Sequence, residues 1–296
     1  MRRCAEAPAI LHAVGVSTTA MHDDPGTGDD SMVREVSAHL VLDVLSVADV
    51  ALAIAVADHH DRDERLTILL DGREIDPVPL DAPHAGRLHL LRDLGPGRLV
   101  VDYGARVTGA APISPPTDLE WFEFVRPSRY CESDQLGPLA RAEFAGLAGH
   151  DLLDAVSSWV GTNVAYVPGA SRPIDGAVAT LLGRAGVCRD FAHLTAAILR
   201  ANGIATRVVS VYAPGLDPMD FHAVAEAAID GHWRVVDPTC LAPRQSMVRI
   251  ATGADASDTA FMTNVRGVVE LVAIEVGATM SPHLPIDDID ELVSLA

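Results

Sequence analysis

The chain has 296 residues, with 22 basic against 41 acidic side chains and a formal charge of −19. Nucleic acids and anionic membranes both require a basic footprint, so this balance points away from either as a partner. No apolar run reaches the ~18 residues of a membrane span, while a hydrophobic content of 49% suffices for sizeable cores over a length of about two domains.

Every basic residue is arginine; lysine is absent. With the Ala and Val richness this reads as nucleotide composition, and it leaves no side-chain primary amine. The cysteines Cys4, Cys131, Cys188 and Cys240 form no C-x-x-C pair, which favours a reducing compartment, the cytoplasm, over a disulfide scaffold. Residues 1–31 read as a flexible N-terminal extension. Met1-Arg2-Arg3 followed by Ala5 to Ala20 has a faint signal-peptide look that His12 and Gly15 interrupt, Met21 and Met32 are alternative starts, and Asp23 to Asp30 is rich in Asp and Gly.

Residues 32–109 carry short β-branched or Leu-rich runs at 33–45, 50–56, 66–70, 87–91 and 98–107, separated by breaks such as Asp71-Gly72 and Gly95-Pro96-Gly97. Strands at this spacing predict a small β-sandwich. Residues 110–118, with three prolines between Ala110 and Pro116, read as a linker. Composition then changes: of 3 Trp, 4 Tyr and 6 Phe, only Tyr103 precedes position 120. Residues 119–296 are therefore expected to form a second unit.

In that unit Leu152, Leu153, Val156, Trp159 and Val160 recur at helical spacing. A short helix is expected near Asp175 to Leu182 with Asp175 as its cap. Next, Cys188 to Arg200 is apolar almost all round, the pattern of a buried helix, and Asn202-Gly203 stops it. Strand-like runs follow at 206–213, 221–229 and 233–237, the last two joined by the hairpin turn Asp230-Gly231. The loop from Tyr212 to Met219 leads into His222 and is placed to shape a cleft.

Cys188 would sit at the first turn of the buried helix, where backbone N–H groups and the helix dipole favour an anion and so the thiolate. Asp190 is expected to support the helix start electrostatically. With Asp230 and Gly231 as the central turn residues, Ile229 pairs with His232 and Asp237 lies opposite Val224. His222 then shares a sheet face with Asp237 in the diagonal position, roughly 7–8 Å apart, within reach of a carboxylate–imidazole hydrogen bond. Nucleophile, base and orienter are thus present in the order Cys, His, Asp.

The segments Gly186-Val187-Cys188-Arg189-Asp190-Phe191-Ala192-His193, Asn202 to Ser210, Asp220-Phe221-His222-Ala223 and Trp233 to Thr239 resemble the core of bacterial transglutaminase-like proteins. The resemblance spans about Leu119 to Phe261, and the β-rich first half resembles the domain that often precedes this core. It implies an α+β, papain-like fold in which a helix carrying Cys packs on an antiparallel sheet carrying His and Asp. It implies Cys188 as nucleophile, His222 as general base and then acid, and Asp237 as orienter; a zinc site on Cys188 and His222 would need further ligands, of which Asp237 is the only obvious one, so no metal or cofactor is expected.

Two departures stand out. Relatives usually carry Gly-Arg-Asp-Ala late in the domain, where this chain has Gly253-Ala254-Asp255-Ala256. No Gln or Asn closely precedes Cys188, so only its own backbone N–H is nominated for an oxyanion. The expected activity is cleavage of a peptide or protein amide through a Cys188 thioester. Glutamine acyl transfer and a binding or scaffold role with a vestigial triad are the alternatives, and oligomerisation stays open. Cys4, Cys131 and Cys240 read as inert small hydrophobes, His193 as a core or rim histidine, and His59-His60-Asp61 as a solvated loop without a ligand cluster.

Overall fold

The structure is a computed structural model and describes residues 32–295. The expected extension 1–31, with Cys4, lies outside the described residues. The first unit comprises β1 (Val33–Val44), β2 (Ala48–Leu52), β3 (Arg62–Leu70), β4 (Arg73–Glu74), β5 (Val78–Asp81), β6 (Arg87–Leu94) and β7 (Gly97–Thr108). In β1 the side chains of Val36, Ala38, Leu40, Leu42 and Val44 are buried while the intervening residues are at least partly exposed. In β7 Leu99, Val101, Tyr103, Ala105 and Val107 repeat the pattern. Period-two alternation makes each strand one wall of a sheet with a dry inner face. These faces meet in one core with β2 and β6, giving the sandwich that the sequence predicts.

Residues 109–117 carry no regular element and lead to α1 (Asp118–Phe124), whose start is a capping box between Thr117 and Glu120. There follow α2 (Gly137–Glu143), α3 (Gly149–Asn163), β8 (Ala165–Tyr166), α4 (Ala177–Gly183), β9 (Ala185–Gly186) and α5 (Cys188–Ala201). Then come β10 (Thr206–Tyr212), β11 (His222–Ile229), β12 (His232–Val236), β13 (Val248–Gly253) and α6 (Ala256–Thr259), and last β14 (Met262–Arg266) and β15 (Val269–Ser281). The cap of α4 differs from expectation: Gly176 holds that position. Asp175 instead accepts the Arg172 N–H at 2.8 Å and pairs with its guanidinium, closing the preceding turn.

The second unit is built on an antiparallel sheet in the order β12-β11-β10-β13. Helix α5 lies on it, with Leu194, Ala197 and Ile198 packed among Val208, Ala225 and Ala227. A Schellman motif ends the helix: Gly203, at φ +82°, donates to Arg200, and Ile204 donates to Leu199 at 3.0 Å. The Asp230-Gly231 turn has φ values of 51° and 75°, the left-handed pair of a type I′ hairpin. It gives the expected register, with Ile229 opposite His232 and Ala225 opposite Val236.

The last two strands depart from the sequence expectation, which runs the second unit on to residue 296. β15 pairs with β1 from Val33↔Ser281 to Val44↔Val269, and β14 pairs with β2. The sandwich sheets therefore read β15-β1-β7-β3-β4 and β14-β2-β6-β5. The physical cause is pairing demand, since without β15 the whole length of β1 would offer unpaired backbone groups on one side. The two units also share side-chain packing: Tyr212, Val248 and Ile250 belong to the sandwich core, and Tyr212 Oη donates to the Ile54 carbonyl at 2.8 Å.

Candidate active site

Cys188 is the first residue of α5, half-buried, with its sulfur 4.0 Å from the Phe221 carbonyl oxygen. The helix start is held by Asp190, whose Oδ2 accepts the Val187 N–H at 2.8 Å. This carboxylate has no exposed surface, yet it is fully partnered. Ser171 donates to Oδ2, and Arg189 donates to Oδ1 from Nε at 3.2 Å and Nη2 at 2.8 Å. The helix-start role expected of Asp190 is what the structure shows; the same carboxylate holds Ser171, and Arg189 reaches the Arg172 carbonyl at 3.0 Å, so the two residues together fix this loop against the helix.

His222 opens β11, directly after Phe221. Its Nε2 lies 2.7 Å from Asp237 Oδ2, and both side chains are almost wholly buried. The Cys188 thiol lies near enough to the ring to add to the upward push on its pKa. Since Asp237 occupies Nε2, the nitrogen left for the sulfur is Nδ1, which is buried and has no hydrogen-bond partner. Burial alone would depress the His222 pKa, but the Asp237 carboxylate outweighs it and the imidazole is raised. Burial alone would raise Asp237, but the imidazole and Thr239 hold it low. Thr239 donates twice to Oδ1, from its N–H at 3.0 Å and its hydroxyl at 2.7 Å. An imidazole between a carboxylate and a thiol is the geometry for moving a proton off sulfur and onto a leaving group.

The structure thus gathers Cys188, His222 and Asp237 at one point. The other candidates fall elsewhere. His193 is buried on α5, stacked on Tyr130 at 5.4 Å, and accepts the Ala256 N–H; burial lowers it to about 4, so it is a neutral core group. Burial pushes the Cys131 thiol up to about 12, consistent with an inert role. Cys240 is exposed, three residues beyond Asp237. His59 and His60 correct the solvated-loop expectation. Their rings lie 4.5 Å apart at a tilt of 33°, His60 is 5% exposed, and His59 lines a cavity of about 290 Å³ with His84, Arg207, Glu226 and Arg249. The segment before them is drawn inward by the Ala57 N–H bond to the Arg249 carbonyl at 2.9 Å, which a local reading has no means of foreseeing.

Where relatives place an arginine, Ala254 offers its carbonyl to Arg200 Nη2 at 2.6 Å, and Asp255 caps α6 through Ser257 while accepting the Tyr130 N–H at 2.8 Å. Two further residues belong to the site without having been singled out by sequence. Thr239 follows Asp237 at the spacing of a side-chain-closed turn, a signal that was present. Tyr166 sits on β8 beside the start of α5, and nothing in its local pattern marks it.

Residues 146–238 match the transglutaminase-like superfamily core. A solved structure from Cytophaga hutchinsonii, described as a candidate cysteine protease, superposes with a TM-score of 0.81 at 27% identity over 90% of this chain and 97% of that one, sandwich included. An uncharacterised protein of Mycobacterium leprae is 29% identical over 134 residues, 41% of this chain and 48% of that protein. One of Mycobacterium tuberculosis is 40% identical over 74 residues, 23% and 24% of the respective lengths. The chain spans about half or less of these curated relatives. Among the described residues no helix is long and apolar enough to cross a membrane. The match takes in the helix and hairpin that carry Cys188, His222 and Asp237, so residues 146–238 form a transglutaminase-like core within a two-part fold shared with the Cytophaga structure.

Proposed function

We propose that the chain is a thiol hydrolase of peptide or protein amide bonds, working through a thioester on Cys188. The observation that carries this reading is the buried His222–Asp237 contact of 2.7 Å with the second imidazole nitrogen left for the thiol. The Cytophaga relative's description as a candidate cysteine protease supports hydrolysis over amine transfer. His222 Nδ1 takes the thiol proton as sulfur attacks the carbonyl carbon, then delivers it to the departing amine nitrogen as the C–N bond breaks. Water, deprotonated by the same imidazole, then splits the thioester and regenerates the thiol. Asp237 holds the ring in the required tautomer and stabilises the imidazolium.

Incubation of the wild type and Cys188→Ala with a glutamine-containing peptide library, with and without cadaverine, tests this. The expected result is acid or cleaved peptide in amounts independent of the amine, abolished in the variant. Amine incorporation lost in Cys188→Ala would shift the reading to acyl transfer with the thioester intact. Absence of any turnover by the wild type would favour a binding or scaffold role.

A further inference from the structure

We propose that the cavity of about 290 Å³ between the sandwich and the core sheet is a binding site for a small organic carboxylate with a short apolar body. None of Cys188, His222 and Asp237 lines it, so the inference is independent of the thiol chemistry. Its volume stands near the lower end of ligand cavities, roughly 300–1,000 Å³.

The kind of ligand follows from which polar atoms around the cavity are already used. Both oxygens of each lining glutamate are engaged. Glu226 Oε2 accepts from Arg207 Nε at 2.8 Å and Arg249 Nη1 at 2.9 Å, and its Oε1 accepts from Arg249 Nη2 at 2.8 Å. Glu120 Oε1 accepts from Arg207 Nη1 at 3.1 Å and lies 3.2 Å from His84 Nδ1, while Thr117 donates twice to Oε2. The donors are not used up in the same way. Among the described residues Arg207 Nη2, His84 Nε2 and both ring nitrogens of His59 have no hydrogen-bond partner, and each of these atoms keeps accessible surface.

A surplus of donors around engaged carboxylates calls for an acceptor. Arg207 is only 8% exposed, and its guanidinium lies 4.0 Å from the Trp233 ring centroid, which fixes its plane. A guanidinium edge held in this way in a poorly solvated cavity is matched by a carboxylate. Burial, with Arg249 nearby, lowers His59 to about 4, so at neutral pH its ring is uncharged and still donates through one N–H. A cationic ligand would instead meet two arginines and no free carboxylate oxygen. The remaining walls include Ile113, Trp233 and Leu295, which suit an apolar body and leave a bare inorganic anion without contacts there.

Calorimetric titration of the full chain with benzoate, benzamide and inorganic phosphate tests this. Benzoate should bind saturably, with benzamide, which lacks the charge, and phosphate, which lacks the apolar body, each weaker by about 10-fold or more. Two variants locate the site. His59→Phe removes both ring nitrogens where they bond no protein group, and Ile113→Asp sets a carboxylate at a residue that is 51% exposed. Each should keep the wild-type Tm and weaken benzoate on the order of 10-fold. No saturable benzoate binding by the wild type, benzamide or phosphate binding as tightly as benzoate, or wild-type affinity in either folded variant would overturn the proposal. The comparison of the three probes on the wild type decides it even where a variant does not fold.

Discussion

Asp237 is buried against the cost of desolvating a charge, and what keeps it ionised is the set of groups around it. Oδ2 faces the imidazole, and Oδ1 takes two donors from Thr239. A buried carboxylate with both oxygens engaged is fixed in orientation as well as charge, which is what an orienter of an imidazole requires. Asp237→Asn keeps the shape but presents an amide to Nε2, so acylation of Cys188 should fall on the order of 10³–10⁴-fold with little change in fold. Thr239→Val removes one of the two donors to Oδ1 and should cost about 1 kcal/mol of stability with a smaller rate loss. Stopped-flow acylation and urea unfolding on the two variants check this. A Thr239→Val variant slower than Asp237→Asn would reverse the order of importance.

At the level of elements, the nucleophile depends on how tightly β9 approaches α5. A Cβ on Gly186 would lie 2.6 Å from Asp190 Cβ, inside any tolerable contact, so only glycine lets the Asp190 carboxylate fold back onto the Val187 N–H. Gly183, at the end of α4, has nothing within 4 Å of the same added atom. Gly186→Ala should therefore destabilise the fold by about 1–3 kcal/mol through overpacking and slow alkylation of Cys188, whereas Gly183→Ala should be neutral or slightly stabilising. Equal Tm values for both variants would contradict this account. The opposite face of the sheet has its own requirement. Glu226, 1% exposed, is held between Arg207 and Arg249, each 2.8 Å away, and they keep its carboxyl far below the usual range against the opposing effect of burial.

Across the whole molecule, the two units are tied by the buried run from Ala53 to Ala57. Its backbone reaches Phe261 and Arg249 at 2.9 Å each, and its carbonyls accept from Tyr212 and Arg87. It is legible as part of a strand over 50–56, yet β2 stops at Leu52 and the rest serves as a wedge between sandwich and core sheet. His60 closes this junction with both ring nitrogens unpartnered, and burial lowers it to about 2 from an ordinary 6.5. Its folded value lies below the unfolded one. The neutral ring therefore contributes stability that is complete above about pH 6.5 and lost as pH falls towards its folded value. Urea midpoints should decline as pH falls from 7 to 4, and His60→Leu should show a shallower decline. Parallel curves for the two proteins would exclude His60 as the source.

What the amino-acid order determined by itself was local or short-range. The alternation in β1 and β7, the all-round apolar face of α5, its Asn202-Gly203 stop and the Asp230-Gly231 turn each follow from backbone sterics and side-chain period within a few residues. Because the type I′ turn sets register, the pairing that puts His222 and Asp237 on one face was legible as well. Only tertiary structure decided which edges the late strands would cover and how deeply His59 and His60 would be drawn in. It also decided that Tyr166, far from Cys188 in sequence, would lie beside it. Each of these turns on a long-range partner competing for an unpaired edge or an unfilled volume, a choice settled by the free energy of the assembled chain and carried by no single window of residues.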